Sequence, residues 1–162
     1  LIFPFRIKTK GKRMPLVIVL AAVFFNSVNT FFIASFLAKN PERYGIDWLH
    51  SWQFIVGALL FIIGYLINQY SDYILINLRK PNEVGYKIPN GFLYKYITNP
   101  NYFGEIIEWT GFAVMTWCLP SFSFLVWTLA NLVPRAIANH KWYKEKFDNY
   151  PKERKILIPY IF

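Results

Sequence analysis

The chain has 162 residues, 55% of them hydrophobic and 20% aromatic, with a mean hydropathy of +0.26 and a formal charge of +9. Its length suits one unit, and it is too apolar for an ordinary soluble domain of this size, which points to a membrane protein. One cysteine, Cys118, excludes an intrachain disulfide and any multi-cysteine metal site, while the basic balance suits an anionic membrane surface, a phosphate-bearing ligand or nucleic acid.

Residues 1–14 carry Arg6, Lys8, Lys10, Lys12 and Arg13 and no acid. They lead into a long apolar run with no small-residue cleavage pattern, so no cleavable signal peptide is expected. The first residue is Leu, and the chain is expected to begin inside a longer product. Leu16–Ala38 is free of charge and long enough to span a bilayer as a helix. Near its middle stand Asn26, Ser27, Asn29 and Thr30, which read as interhelical hydrogen-bonding groups or, at Asn29, as a ligand contact. Residues 40–51 form a loop punctuated by Pro41 and Gly45, with Trp48 and Trp52 suited to a lipid–water interface and His50 exposed beside them.

A second span is expected over 52–76, continuing as helix through Asp72 towards Arg79. The loop 79–100 holds Pro81, Pro89, Pro100, Gly85 and Gly91, which preclude one continuous helix. Tyr86, Phe92, Tyr94 and Tyr96 make it amphipathic, so it should lie ordered against the membrane-facing body. A third span over 101–119, a tight turn at Pro120 and Ser121, and a fourth span over 121–138 follow. Pro134 should kink that last span, and a basic amphipathic helix and tail complete 139–162. The expected fold is all-α: a polytopic transmembrane helix bundle, one integral-membrane domain over 1–162, with four spans at 16–38, 52–76, 101–119 and 121–138. Residues 1–14, 77–100 and 135–162 hold five, four and seven Lys and Arg, sixteen of the eighteen in the chain. Four spans put these segments on one side, which the positive-inside rule makes cytosolic.

Polar residues held close to lipid are costly and mark functional sites by default. Three sets fall on helical stripes. Asn68, Asp72 and Arg79 share a face if the second helix continues; Asn101, Glu105 and Glu108 share another; Asn131, Arg135, Asn139 and Tyr143 recur every fourth residue. All lie at the cytosolic ends of their helices and can converge on one pocket. Arg79, Lys87, Arg135 and Lys10 suit phosphate; Asp72, Asn68 and Asn101 suit sugar hydroxyls or an amide; Glu105 suits a carboxamide. This is the inventory of a nucleotide-cofactor site. The other reading is mutual ion pairing at the membrane border, Asp72 with Arg79 and Glu105 with Arg135. No dinucleotide-binding glycine fingerprint or phosphate-binding loop motif occurs. His50 and His140 do not make a metal site by spacing, and no metal is expected. The basic residues at 141–155 suit lipid headgroups better than nucleic acid.

The motifs S-D-x-x-L-x-x-L-R-K-P from Ser71, G-Y-K-I-P-x-G from Gly85 and N-Y-F-G-E-I-I-E-W from Asn101 form one set. P-R-A-x-x-x-H-x-W-Y from Pro134 and Y-P-K-x-R-K-x-L-I-P from Tyr150 complete it. In this order they closely resemble the C-terminal portion of the steroid 5α-reductase family (3-oxo-5α-steroid 4-dehydrogenase). The resemblance implies an integral-membrane enzyme of seven spans that uses NADPH. It implies reduction of the C4–C5 double bond of a lipophilic 3-oxo-Δ4 steroid, with hydride to C5 and a proton to C4.

On that pattern Asn68, Asp72, Arg79, Lys87, Asn101, Arg135 and Tyr143 hold the dinucleotide. Glu105 stands beside the nicotinamide carboxamide, and Lys10 falls near a phosphate contact. Asn139 and His140, carried over as cofactor-binding, occupy a place where the family often has a His pair. Trp109 and Leu132 lie where the substrate packs. The family's three front helices, which carry the Glu and Tyr that grip the 3-oxo group, have no counterpart in this sequence. The catalytic residues are therefore unassigned, with Glu105 and Tyr143 the nearest candidates. Alternatives are reduction of another lipid double bond (polyprenal, enoyl thioester or sterol), an isoprenylcysteine-methyltransferase-like enzyme using S-adenosylmethionine, or a structural membrane partner. The expected location is the bacterial inner membrane or the endoplasmic reticulum, with the cofactor side cytosolic.

Overall fold

The hydroxyl of Ser51 accepts a hydrogen bond from the amide of Phe54 at 3.2 Å. That cap starts the long helix Trp52–Ile76. The computed structural model describes residues 15–79, 83 and 85–162. Among the described residues there are four α-helices: α1 (Leu16–Lys39), α2 (Trp52–Ile76), α3 (Pro100–Thr116) and α4 (Leu119–Lys146). Single turns of 3-10 helix occupy Ile46–His50 and Phe92–Lys95, and an isolated bridge pairs Ile97 with Lys155. The protein is all-helical, as expected, and α1, α2 and α4 are each long and apolar enough to cross a bilayer.

The shorter α3 is different. None of its residues is exposed, because it runs between α2 and α4, and that shelter lets it carry Asn101, Glu105 and Glu108. The α2–α3 contact is built on glycine. Gly57 and Gly64 in α2 and Gly104 and Gly111 in α3 are each spaced by seven residues, two helical turns, so each pair shares a face. A Cβ at Gly57 would lie 2.3 Å from Met115 N, at Gly64 2.2 Å from Glu108 N, at Gly104 2.5 Å from Asn68 N, and at Gly111 2.3 Å from Phe61 N. The four contacts pair 57 with 115, 61 with 111, 64 with 108 and 68 with 104, one unbroken antiparallel register. Backbone meets backbone along the whole contact, as small residues permit where helices associate in lipid.

Several boundaries differ from the sequence expectation. α2 stops at Ile76, where Asn77 folds its side chain back onto Tyr73 O at 2.8 Å, so Arg79 lies beyond the helix and off the Asn68–Asp72 stripe. The turn expected at Pro120–Ser121 falls at Trp117 and Cys118. Trp117 is left-handed (φ 47°), and Pro120 sits in the first turn of α4, where its missing N–H costs nothing. Pro134 lies inside α4, and the helix continues past it to Lys146, taking in the amphipathic stretch expected to stand apart. The amides of Asn26 and Asn29 turn back onto their own helix, bonding Ala22 O and Phe25 O one turn back, at 2.8 and 2.9 Å. No residue of α1 is buried; it meets α4 through Phe25, stacked on Trp127 at 4.6 Å.

At the end opposite the polar stripes, three side chains cover the carbonyls that the C-terminus of α3 leaves open. Trp48 Nε1 donates to Met115 O at 3.1 Å, Tyr44 O–H to Thr116 O at 2.8 Å, and Arg43 Nη2 to Trp117 O at 2.9 Å. Helix-end carbonyls need such partners, and a cation there also meets the negative pole of the helix. Replacing Trp48 by Phe keeps the ring and removes the donor. It should lower stability by about 1 kcal/mol, the worth of a typical hydrogen bond, read as a reduced melting temperature. An unchanged melt would show that the clamp contributes nothing.

Candidate functional site

The glycine register decides what faces what at the polar end. One turn beyond Gly104 opposite Asn68, it sets Asp72 beside Asn101. Asn68 Nδ2 donates to Asn101 O at 3.1 Å, and Asn101 Nδ2 donates to Asp72 Oδ1 at 3.3 Å. A cavity of about 720 Å³ opens here between α2, α3 and α4, within the span of about 300–1,000 Å³ usual for small-molecule sites. Of the residues expected in a site, Asn68, Asp72, Asn101, Glu105, Trp109, Asn139 and Tyr143 line it.

Glu108, the third member of the Asn101–Glu105 stripe, lines it too. The sequence pattern assigns no role to Tyr94, Thr98, Asn99 or Tyr102, which also line the cavity. The first three belong to the irregular run into α3, where no helical period points to a face. Tyr94 is 1% exposed and donates to Ser71 O at 3.4 Å. Burial, with the Asp72 charge nearby, pushes its phenol far above the usual range, so it stays a neutral donor. Thr98 and Asn99 join the cavity wall to α4 and to the chain's last segment. Asn99 Nδ2 donates to Ala136 O at 3.1 Å and Ile156 O at 3.0 Å, while its Oδ1 accepts from Asn139 Nδ2 at 3.0 Å.

The Thr98 hydroxyl meets His140 Nδ1, Tyr150 O–H and Lys155 O. It has one proton to give, and Lys155 O can only accept. The hydroxyl thus joins α4 and the final segment at one point. His140, 8% exposed, is built into this support behind the wall and does not itself line the cavity.

Other expected site residues stand apart from the wall. Arg79 Nη1 donates to Gly85 O at 3.4 Å, with the guanidinium 6.0 Å from the Tyr86 ring. Lys87 pairs with Glu83. Arg135 is exposed on α4, and Leu132 is buried in that helix away from the cavity. Asn131 bonds Trp127 O on its own helix at 2.9 Å. Lys10 lies outside the described residues. Neither ion pair of the alternative reading forms: among the described residues the pairs are Lys87–Glu83 and Lys141–Glu145. The described wall thus holds Asp72, Glu105 and Glu108 and no Lys or Arg. Carboxylates, amides and phenols can accept from and donate to hydroxyls and a carboxamide. A phosphate would need cations, and Arg79, Lys87 and Arg135 stand outside this wall.

Fold and site together define an all-helical protein in which three helices are long and apolar enough to cross a bilayer and a cavity lined by amides, carboxylates and aromatic rings lies between helices. The family model described as 3-oxo-5-alpha-steroid 4-dehydrogenase matches residues 12–162. The chain is 47% identical over 161 residues to 3-oxo-5-alpha-steroid 4-dehydrogenase 1 of Bos taurus, covering 99% of this chain and 62% of the relative. It is 44% identical over 162 residues to the Homo sapiens protein of that name, covering 100% and 62%. It is 41% identical over 165 residues to steroid 5-alpha-reductase DET2 of Gossypium hirsutum, covering 99% and 64%. The chain belongs to the 3-oxo-5-alpha-steroid 4-dehydrogenase family. It spans a little over three fifths of the length of these relatives.

Proposed function

We propose that this chain forms the nucleotide-holding part of an NADPH-dependent reductase that saturates the C4–C5 double bond of 3-oxo-Δ4 steroids. The observation that carries this reading is the convergence of Asn68, Asp72, Asn101, Glu105, Asn139 and Tyr143 on one cavity. The donor set fits the cofactor in two parts. Asp72, Asn68 and Asn101 would take ribose hydroxyls, and Glu105 the carboxamide. Arg79, Lys87 and Arg135, outside the wall, would supply the positive charge that the phosphates require.

When bound, the reduced nicotinamide supplies the hydride for C5, and a proton added at C4 completes the saturated ketone. Trp109 on the cavity wall would give the steroid apolar contact. Apolar helices around the site keep it dry, which strengthens every polar contact inside it. The group that polarises the 3-oxo oxygen is assigned to no described residue, and it falls to the part of the family's length outside this alignment. The lysine and arginine distribution supports a multi-pass membrane location with the cavity facing the cytosol.

The test is thermal stabilisation of the purified protein. At one hundred times the dissociation constant a ligand adds about 2.7 kcal/mol to stability, so NADPH should raise the melting temperature clearly, and more than NADH does. A shift with S-adenosylmethionine alone would replace this reading with the methyltransferase one. No shift with NADPH would sink it.

A further inference from the structure

The segment after α4 takes no part in the functional reading, yet it is sewn into the support of the cavity. Lys155 N donates to Tyr96 O at 2.8 Å, and Thr98 N donates to Lys155 O at 2.9 Å. Beside this seam sits Arg154, 3% exposed. A buried guanidinium ordinarily has a carboxylate partner, because an uncompensated buried charge is costly. Among the described residues no ion pair includes Arg154. Its Nη1 donates to Pro89 O at 3.2 Å and its Nη2 to Asn90 Oδ1 at 3.1 Å, while the guanidinium lies 5.1 Å from the Tyr150 ring centroid. Nε is buried and has no hydrogen-bond partner among the described residues.

Both acceptors belong to the loop 85–91. Gly85 (φ 112°) and Gly91 (φ 89°) bound it, both in left-handed conformations that few other residues adopt. The same loop carries Lys87, and its Gly85 carbonyl takes the Arg79 bond. A planar fork can hold two acceptors on adjacent residues at once; an ammonium cannot reproduce that geometry.

We propose that Arg154 is a positioning residue: it pins loop 85–91 to the final segment, and so sets Arg79 and Lys87 where their charges serve a bound nucleotide's phosphates. This rests on the nucleotide reading above. Arg154 acts through the loop and does not touch the ligand.

The test compares the complete protein with Asn90→Ala, Arg154→Lys and Arg154→Gln. Amide exchange in 86–91 is read without ligand, and binding is titrated with NADPH and with reduced nicotinamide riboside, which has no phosphate. Loss of a charge-assisted bond should speed exchange in 86–91 and weaken NADPH by about three- to tenfold in Asn90→Ala, and by about ten- to fiftyfold in Arg154→Gln. Arg154→Lys should fall between wild type and Arg154→Gln. Riboside binding should not change in any variant.

Wild-type exchange in both Asn90→Ala and Arg154→Lys would overturn the proposal, as would faster exchange with NADPH affinity intact, or equal losses for riboside and NADPH. Asn90 is exposed, so its variant decides the matter even where Arg154→Gln does not fold. If wild-type protein binds no NADPH, the functional reading fails and the phosphate role of Arg154 fails with it. The ligand-free exchange still decides whether Arg154 pins the loop.

Discussion

Gly64→Val will leave little folded protein, and Gly64→Ala will melt well below wild type. A Cβ at this position would lie 2.2 Å from Glu108 N, 2.6 Å from Gly104 O and 2.7 Å from Glu108 Cα. All three are backbone atoms, so no rotamer change relieves the clash and the helices must separate. Overpacking of this kind costs on the order of 1–3 kcal/mol for the smallest intrusion, and valine adds two more carbons at the same point. The natural control is Gly45→Ala. That position lies in a loop, and its nearest neighbour to a new Cβ is Glu42 O at 3.8 Å, so its melt should match wild type. If Gly64→Ala and Gly45→Ala melt alike, the glycine register does not hold α2 against α3. The same separation should weaken NADPH binding, since Asn68 and Asp72 continue the register one and two turns beyond Gly64.

Asp72→Asn will weaken NADPH binding about ten- to a hundredfold, the range given by one hydrogen bond to a charged group at about 1.5–3 kcal/mol. The substitution keeps the shape of the side chain and an oxygen for Asn101 Nδ2, so the ligand-free melt should stay near wild type. What changes is the acceptor strength offered to a ribose hydroxyl. Titration of NADPH fluorescence reads the affinity directly. Full affinity in Asp72→Asn would remove Asp72 from the binding site and leave its bond to Asn101 as a purely structural link between α2 and α3.

The residues legible in sequence were those whose chemistry conflicts with their neighbours. Asp72, Asn101 and Glu105 stand in apolar, helix-period surroundings, and a helical period alone places Asn68 with Asp72 and Asn101 with Glu105. Arg79 falls off the expected helix face because helix ends are set by local capping. Asn77 closes α2 onto Tyr73 O, and two residues later the period no longer applies. The seven-residue glycine spacing also stands in the sequence, and it is the signal for the backbone-to-backbone contact of α2 with α3. For Tyr94, Thr98 and Asn99 no periodic signal exists. They lie in a 3-10 turn and a non-helical run, and their direction depends on what packs against them.

Composition and hydropathy alone determined the class of architecture, because apolar stretches long enough to cross a bilayer can satisfy their backbone only as helices or closed barrels. The motifs determined the family. Tertiary structure decided that α3 is the sheltered helix, that the described cavity wall is acidic and amidic with no Lys or Arg in it, and that His140 and Arg154 are buried outside that wall. Those facts depend on contacts between residues far apart in the chain, and such contacts follow from how closely two backbones approach.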